Sequence, residues 1–530
     1  MKKQTSAFPF VSLSDRTASG VPMHRQIYEK MRQAILSGEL PPKSRVPASR
    51  TLAAQLGVSR MTIVNAYDQL FAEGYLEGKI GAGTFVAQDL PEELLQAPKI
   101  RTVKPAAFSR ELNLSRQGSQ MARGLGDLLR EHSANKFVPF QNGLTAIDSF
   151  PFEIWARIAS RWNRHAPPTT LVEGSLAGFR PLREAIAAHL KSARGVNCEP
   201  GQVIITAGAQ QALALISAVF LELNDEVWIE DPGYTSARSL LALSRAKLIP
   251  VPVDEDGLNI KAACEQSKNP KLIYVTPSHQ YPLGVTMSVT RRLSLIETAR
   301  ATGAWIIEDD YDSEYRYAGH PLASLQGLDR NGRVLYVGTF SKTIFPSLKL
   351  GCLVVPPDLV DVFTAARMLS GAHSPLIEQA ILAEFIAEGH FARHVRRMRT
   401  LYEERQKILI EEVRRNLKGL IEMKPDDAGM HLVGWLPDNF DDRDAARKAA
   451  AENIRLSAIS DHCINEYPRK GLVFGYAAFD EKQIRGGIAK LAEILTEMAR
   501  NQNDLMRRKP FSDGGKSGLR CAAVCSRINF

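Results

Sequence analysis

Val334-Leu-Tyr-Val-Gly-Thr-Phe-Ser-Lys342 reads as a buried strand that runs into a Ser/Thr-rich turn and delivers a lysine there. A second apolar run, Ala304-Trp-Ile-Ile307, leads into Glu308-Asp309-Asp310-Tyr311, which sets a carboxylate 33 and a phenol 31 positions before that lysine. Two strand ends thus offer an amine, a carboxylate and a phenol. An aldehyde cofactor built on pyridine needs those three groups: an amine for a Schiff base, a carboxylate to keep the ring nitrogen protonated, and a donor to the phenolate oxygen. Lys342, Asp309 and Tyr311 fit these roles, and pyridoxal 5'-phosphate is the cofactor they imply. A lone Ser-Lys pair is usually a solvated surface pair, so the surrounding sequence decides.

That sequence supports the reading. Gly208-Ala209-Gln210-Gln-Ala212 follows the strand-like Val203-Ile-Ile-Thr206 and opens a helical pattern, the arrangement by which backbone N–H groups and a helix N-terminus cradle a phosphate. Glu230-Asp-Pro-Gly-Tyr234, after Val227-Trp-Ile229, brings an aromatic ring from another strand end, placed to stack on a pyridine. From about Phe137, apolar runs at Val203, Val227, Leu272, Trp305, Val334 and Leu350 alternate with helical patterns, which predicts an α/β domain whose mostly parallel sheet binds ligand beyond its strand ends. Helices dominate after Phe363, and strands return at His431-Leu-Val-Gly-Trp435 and Leu472-Val-Phe-Gly475, predicting a smaller α+β C-terminal lobe.

The amino-terminal part, 20–88, has a different pattern. Ile27, Met31 and Ile35 mark a helix face stopped by Ser37-Gly38, and Arg50-Thr-Leu-Ala-Ala-Gln-Leu56 precedes a tight turn at Gly57-Val58. Ser59 is placed to cap a helix starting at Arg60. Gly78-Lys-Ile-Gly81-Ala-Gly83 turns between two short strands. Three helices and a glycine-rich wing make a winged helix-turn-helix, in which Arg50, Ser59, Arg60 and Thr62 occupy positions that meet DNA, while Gly81 and Gly83 let the wing backbone approach phosphate or enter a minor groove. A small protein-interaction bundle is the competing reading.

Residues 89–135 lose periodicity and gather Pro91, Pro98 and Pro105 with charges of both signs, which predicts a tether too long for an ordinary loop. Residues 136–502 form the large two-lobed region, and 503–530 read as a basic, disordered tail. The formal charge of +9 permits a nucleic-acid partner without requiring one. The six cysteines are scattered; Cys521 and Cys525 lie four apart without a companion His or Cys cluster, so no metal site is expected. Neither a membrane span nor a secretory leader is legible, and a cytoplasmic location is the expectation.

Both halves resemble something known. Val46-Pro-Ala-Ser-Arg50, Leu56-Gly-Val-Ser-Arg60 and Gly83-Thr-Phe-Val86 resemble the GntR-type winged helix, and the rest resembles the fold-type I aminotransferases. With Glu308-Asp-Asp-Tyr-Asp-Ser-Glu314, Thr276-Pro-Ser-His-Gln280 and Gly338-Thr-Phe-Ser-Lys342 in this order, the chain is similar to the MocR family of bacterial regulators. The resemblance implies that Lys342 binds the cofactor, Asp309 meets the pyridine nitrogen, Tyr311 the phenolate oxygen and Tyr234 the ring face. Gly208, Ala209, Gln210, Thr339 and Ser341 would surround the phosphate. It also implies a head-to-tail homodimer reading paired half-sites of operator DNA, with a small amine or amino-acid effector sensed by exchange at Lys342.

Five positions depart from the catalytic pattern. Ala478 stands where aminotransferases keep an arginine for the substrate carboxylate, and Ser236 where the γ-aminobutyrate-sensing relative has a second arginine. Tyr281 replaces a cofactor-contacting asparagine, with Gln280 or His279 as substitutes. Glu173 falls where relatives have a phosphate-reaching tyrosine, and Lys349 replaces a phosphate-binding arginine, keeping the charge but losing the planar fork. Sensing rather than efficient transamination is therefore the expectation. An aminotransferase carrying a DNA module, or a regulator responding to pyridoxal phosphate itself, are the alternatives.

Overall fold

The computed structural model describes residues 21–79, 82–90, 114–115, 118–119, 137–171, 174–319, 322–371 and 375–508, and the chain divides into two compact units between Ser115 and Arg116. The expectations for Gly81, Glu173 and most of the tether and tail lie outside the described residues.

In the first unit, α1 (Met23–Leu36) buries Ile27, Met31 and Ile35 along one face, and Ser37 ends it. Helix α2 (Ser49–Leu56) stops at Gly57, whose φ of 65° is the left-handed conformation that glycine adopts without a Cβ penalty. Helix α3 (Arg60–Ala72) is capped by Ser59, whose side chain accepts from the Thr62 N–H at 3.1 Å. Strands β1 (Leu76–Lys79) and β2 (Gly83–Val86) pair antiparallel from Leu76 opposite Val86 to Lys79 opposite Gly83. Buried Leu52, Ile63, Leu70 and Val86 join the α1 face in one core, so this unit has an apolar interior of its own.

The second unit is built on a sheet of β3 (Val203–Thr206), β4 (Glu226–Asp231), β5 (Lys247–Asp254), β6 (Gly257–Leu258), β7 (Leu272–Val275), β8 (Trp305–Asp310), β9 (Val334–Thr339) and β10 (Gly351–Val354), in the order β3-β10-β9-β8-β7-β4-β5-β6. Strands β9, β8, β7, β4 and β5 run parallel, while β10 is antiparallel to both neighbours and β6 to β5. Strand β7, inside the sheet, and β3, at its edge, are both buried along their whole length, as expected of a sheet covered on both faces. Helix α4 (Ala209–Phe220) follows β3 directly.

The C-terminal lobe holds the 27-residue α5 (His390–Asn416) and an antiparallel sheet of β11 (Glu422–Met423), β12 (His431–Trp435), β13 (Ser457–Ala458) and β14 (Gly471–Gly475), ordered β11-β12-β14-β13. Its last helix, α6 (Glu481–Arg508), continues past residue 502, where the sequence suggested the ordered domain would end. Leu432, Phe474, Ile488 and Leu495 lie in its core. No helix among the described residues is long and apolar enough to cross a membrane.

Candidate functional site

The acidic run at the end of β8 sorts itself by the two-residue alternation of a strand. Glu308 and Asp310 face one side: Glu308 accepts from the Leu325 and Gln326 N–H groups at 2.8 and 2.9 Å, and Asp310 pairs with buried Arg194 at 2.8 Å and with the Tyr336 hydroxyl at 2.7 Å. Asp309 faces the other side, into a cavity of about 270 Å3. Its Oδ2 accepts from the Tyr274 hydroxyl at 2.7 Å, whereas its buried Oδ1 has no partner. Burial raises this carboxyl to about 6, against the Tyr274 hydrogen bond. A protonated ring nitrogen at Oδ1 would supply both the missing donor and the missing charge.

Lys342 enters the same cavity from the turn after β9, and its Nζ donates to the Gly143 carbonyl at 2.9 Å. Burial lowers the ammonium to about 8, so a nucleophilic neutral amine exists near neutrality. Gly143 sits at φ 78°, the left-handed conformation that favours glycine, with the Lys342 Nζ against the place a Cβ would take.

Every cofactor residue read from the sequence lines this cavity except Gln280: Asp309, Tyr311, Lys342, Tyr234, Gly208, Ala209, Gln210, Thr339, Ser341 and Lys349. Gly208 precedes the first turn of α4 with φ 89°, and space is open where its Cβ would be. The helix N-terminus therefore presents N–H groups to the cavity, with the Lys349 cation as counterpart. The residues present fit pyridoxal phosphate.

Gln280 is a correction to the sequence reading. Its amide is turned away and buried, donating to Glu230 Oε2 at 3.2 Å, Pro232 O at 2.9 Å and Tyr281 O at 2.8 Å, because a carboxylate buried beside it requires donors. Tyr281 takes the cavity wall instead, its ring edge-on to Tyr234 at 5.8 Å. Ser236, in the first turn of the helix that follows Tyr234, lies near the Tyr234 hydroxyl. Ala478 packs in the core of the C-terminal lobe and does not line the cavity. Among the described residues, no arginine does.

Sequence reading missed several lining residues: Asn142 and Gly143, Tyr274 and Thr276 around the end of β7, and Met430 and His431 at the start of β12. Tyr274 and Thr276 carried a signal, polar tips at the end of an apolar strand. Asn142 and Gly143 carried none. His279, Asp312 and His431 bring ligand-type atoms within 4.8 Å of one another, but Asp312 and Asp426 already occupy both nitrogens of His279.

In the first unit, Arg50, Ser59 and Arg60 are exposed around the start of α3, with Arg60 Nε 3.5 Å from Ser49 Oγ; Thr62 is partly exposed, its hydroxyl 2.8 Å from that of Ser59. Gly83 is exposed at φ 112°, and the exposed guanidinium of Arg45, unremarked in the sequence, lies against it.

A winged helix joined to a pyridoxal-phosphate fold defines a DNA-binding transcriptional regulator of aminotransferase ancestry. The bacterial regulatory proteins of the gntR family match residues 23–86, and aminotransferase class I and II matches residues 147–490. The chain is 41% identical over 478 residues, 90% of its length and 94% of the relative's, to the probable rhizopine catabolism regulatory protein MocR of Rhizobium meliloti. It is 32% identical to the pyridoxine biosynthesis regulator PdxR of Corynebacterium glutamicum, over 92% of this chain and 97% of that one. Kynurenine aminotransferase of Pyrococcus horikoshii, solved with PMP, superposes with a TM-score of 0.68 at 27% identity, over 74% of this chain and 98% of that one. The chain belongs to the MocR family of GntR-type, pyridoxal-phosphate-dependent regulators.

Proposed function

We propose that this protein is a cytoplasmic regulator that binds operator DNA through its winged helix and uses pyridoxal phosphate, held at Lys342, to sense an amine or amino-acid effector. The observation that carries the reading is the pairing of the Lys342 amine with the unpartnered Asp309 Oδ1 in one cavity. When bound, the cofactor supplies an aldehyde carbon that exchanges between amines. Lys342 holds it covalently, Asp309 holds the ring nitrogen, and Tyr311 offers a hydroxyl on the phenolate side. The absence of an arginine among the described lining residues removes the usual bidentate anchor for a substrate carboxylate, which favours sensing over steady transamination.

The reading extends to a head-to-tail homodimer whose paired winged helices contact paired half-sites, with Arg50, Ser59, Arg60, Thr62 and the wing at Gly81 and Gly83 on DNA. Exposed Arg45 joins that set. A second reading, a response to pyridoxal phosphate itself, is favoured by the relative whose name concerns pyridoxine biosynthesis.

Absorption spectra of the wild type and Lys342→Ala, with and without pyridoxal phosphate, test the cofactor site. A visible band in the wild type that the variant lacks is the expected result, and equal spectra would sink the reading. Operator affinity is then measured with cofactor alone and with amines added: a change with cofactor alone selects the second reading, and a change on adding amine selects the first.

A further inference from the structure

Beside Tyr311, three loops that each supply a residue to the cavity wall meet: residues 276–284 after β7, 311–317 after β8, and 424–430 before β12. The first two belong to the large lobe and the third to the C-terminal lobe. Their junction is His279, which is 1% exposed. Its Nδ1 lies 3.0 Å from Asp312 Oδ2 and 3.1 Å from the Tyr311 hydroxyl oxygen, and its Nε2 lies 3.3 Å from Asp426 Oδ2. The Tyr311 hydroxyl donates to the His279 carbonyl at 2.9 Å. Both ring nitrogens face carboxylate acceptors, so both carry a proton.

The backbone closes around this contact. The Tyr317 N–H donates to the Asp427 carbonyl at 2.7 Å, the Gly429 N–H donates to the Tyr315 carbonyl at 2.9 Å, and Arg316 and Ala428 form an isolated antiparallel bridge. Two glycines permit the approach. A Cβ on Gly429 would collide with the His279 ring, and one on Gly284 with the Asp426 carboxylate, and both sit at positive φ, 93° and 80°.

We propose that His279 is a positioning residue that couples the hydroxyl of Tyr311 to the C-terminal lobe through Asp426. This rests on the reading that the cofactor's phenolate side faces Tyr311. The Tyr311 proton has two destinations, the His279 carbonyl behind it or an acceptor in the cavity before it. When it turns to the cavity, the Nδ1–H of His279 supplies the hydroxyl oxygen and leans away from Asp312. The same rigid ring holds Asp426 at its far nitrogen, so the reorientation reaches the loop that leads into β12 and His431.

The test uses the full chain loaded with pyridoxal phosphate, comparing wild type with His279→Ala, His279→Asn and Asp426→Asn. Two quantities are read: the pH midpoint of the cofactor's visible absorbance, and hydrogen exchange of residues 426–431 with and without cofactor. His279→Ala raises the midpoint by about one unit, because losing a donor to the phenolate side disfavours the ionised form. Asparagine, which keeps an N–H near the Nδ1 position, restores most of that shift. Asp426→Asn leaves the midpoint near the wild-type value but abolishes the cofactor-dependent change in exchange. A midpoint in His279→Ala equal to wild type, or in His279→Asn as displaced as in His279→Ala, overturns the proposal, as does a wild-type exchange response in Asp426→Asn. If His279→Ala does not fold, the other two variants decide. A wild type lacking any visible band overturns the cofactor reading and the coupling together; a normal band with unmoved midpoints overturns the coupling alone.

Discussion

Lys342 and Asp309 owe their chemistry to opposite effects of the same burial, which pulls the ammonium down to about 8 and pushes the carboxyl up to about 6. In the cofactor-free protein, modification of Lys342 by a small aldehyde and borohydride should therefore rise with a midpoint near pH 8, against the ordinary lysine value of 10.5. A profile centred near the ordinary value would show that the amine is solvated. Tyr274→Phe removes the donor to Asp309 Oδ2, and because a hydrogen bond to a charged group is worth about 1.5–3 kcal/mol, cofactor affinity should fall at least roughly tenfold in a spectral titration. The residues that react were legible because each sits at a strand end in a chemically unusual sequence. Gly143 and Asn142 were not, because their importance is a matter of which backbone carbonyl folds back across 199 positions to meet Lys342. Gln280 misled for a related reason: sequence placed it beside the cavity, but only the fold reveals buried Glu230 competing for its amide.

Elements carry a second layer of meaning. Strand alternation assigns the two neighbours of Asp309 to structural work, and Arg194→Met would leave Asp310 buried with the Tyr336 hydroxyl but no cation, costing about 3–5 kcal/mol in the denaturation midpoint of the second unit. Ser59→Ala should cost the first unit about 1 kcal/mol by removing the cap of α3, seen as an earlier first transition in urea. The helices and wing of that unit were legible because caps, glycine stops and periodicity coincide. Strand β5 is not among the apolar runs legible in the sequence; it carries Pro250 and Pro252, which it tolerates beside the sheet's edge, where β6 covers only its end. The antiparallel setting of β10 was equally hidden, because a short buried strand reads the same in either direction.

At the scale of the whole molecule, the junction at His279 makes stability depend on pH. Burial opposes its charge, but Asp312 and Asp426 together raise it from the ordinary 6.5 to about 10. Its contribution is complete below about pH 6.5 and is lost as pH rises towards about 10, so the melting temperature should fall more steeply over that range in wild type than in His279→Asn. Two compact units were foreseen from the change in pattern between 89 and 135, and the lobes of the second from the return of strands after α5. The cavity's lining runs from Asn142 to His431, while the first unit has closed its core by Leu90. During synthesis, at about 5–20 residues per second, the part that meets DNA is thus complete roughly 20–70 s before the last wall of the cofactor cavity leaves the ribosome. A nascent or prematurely terminated chain passes through a stage in which it has the means to touch DNA but no place to hold its cofactor.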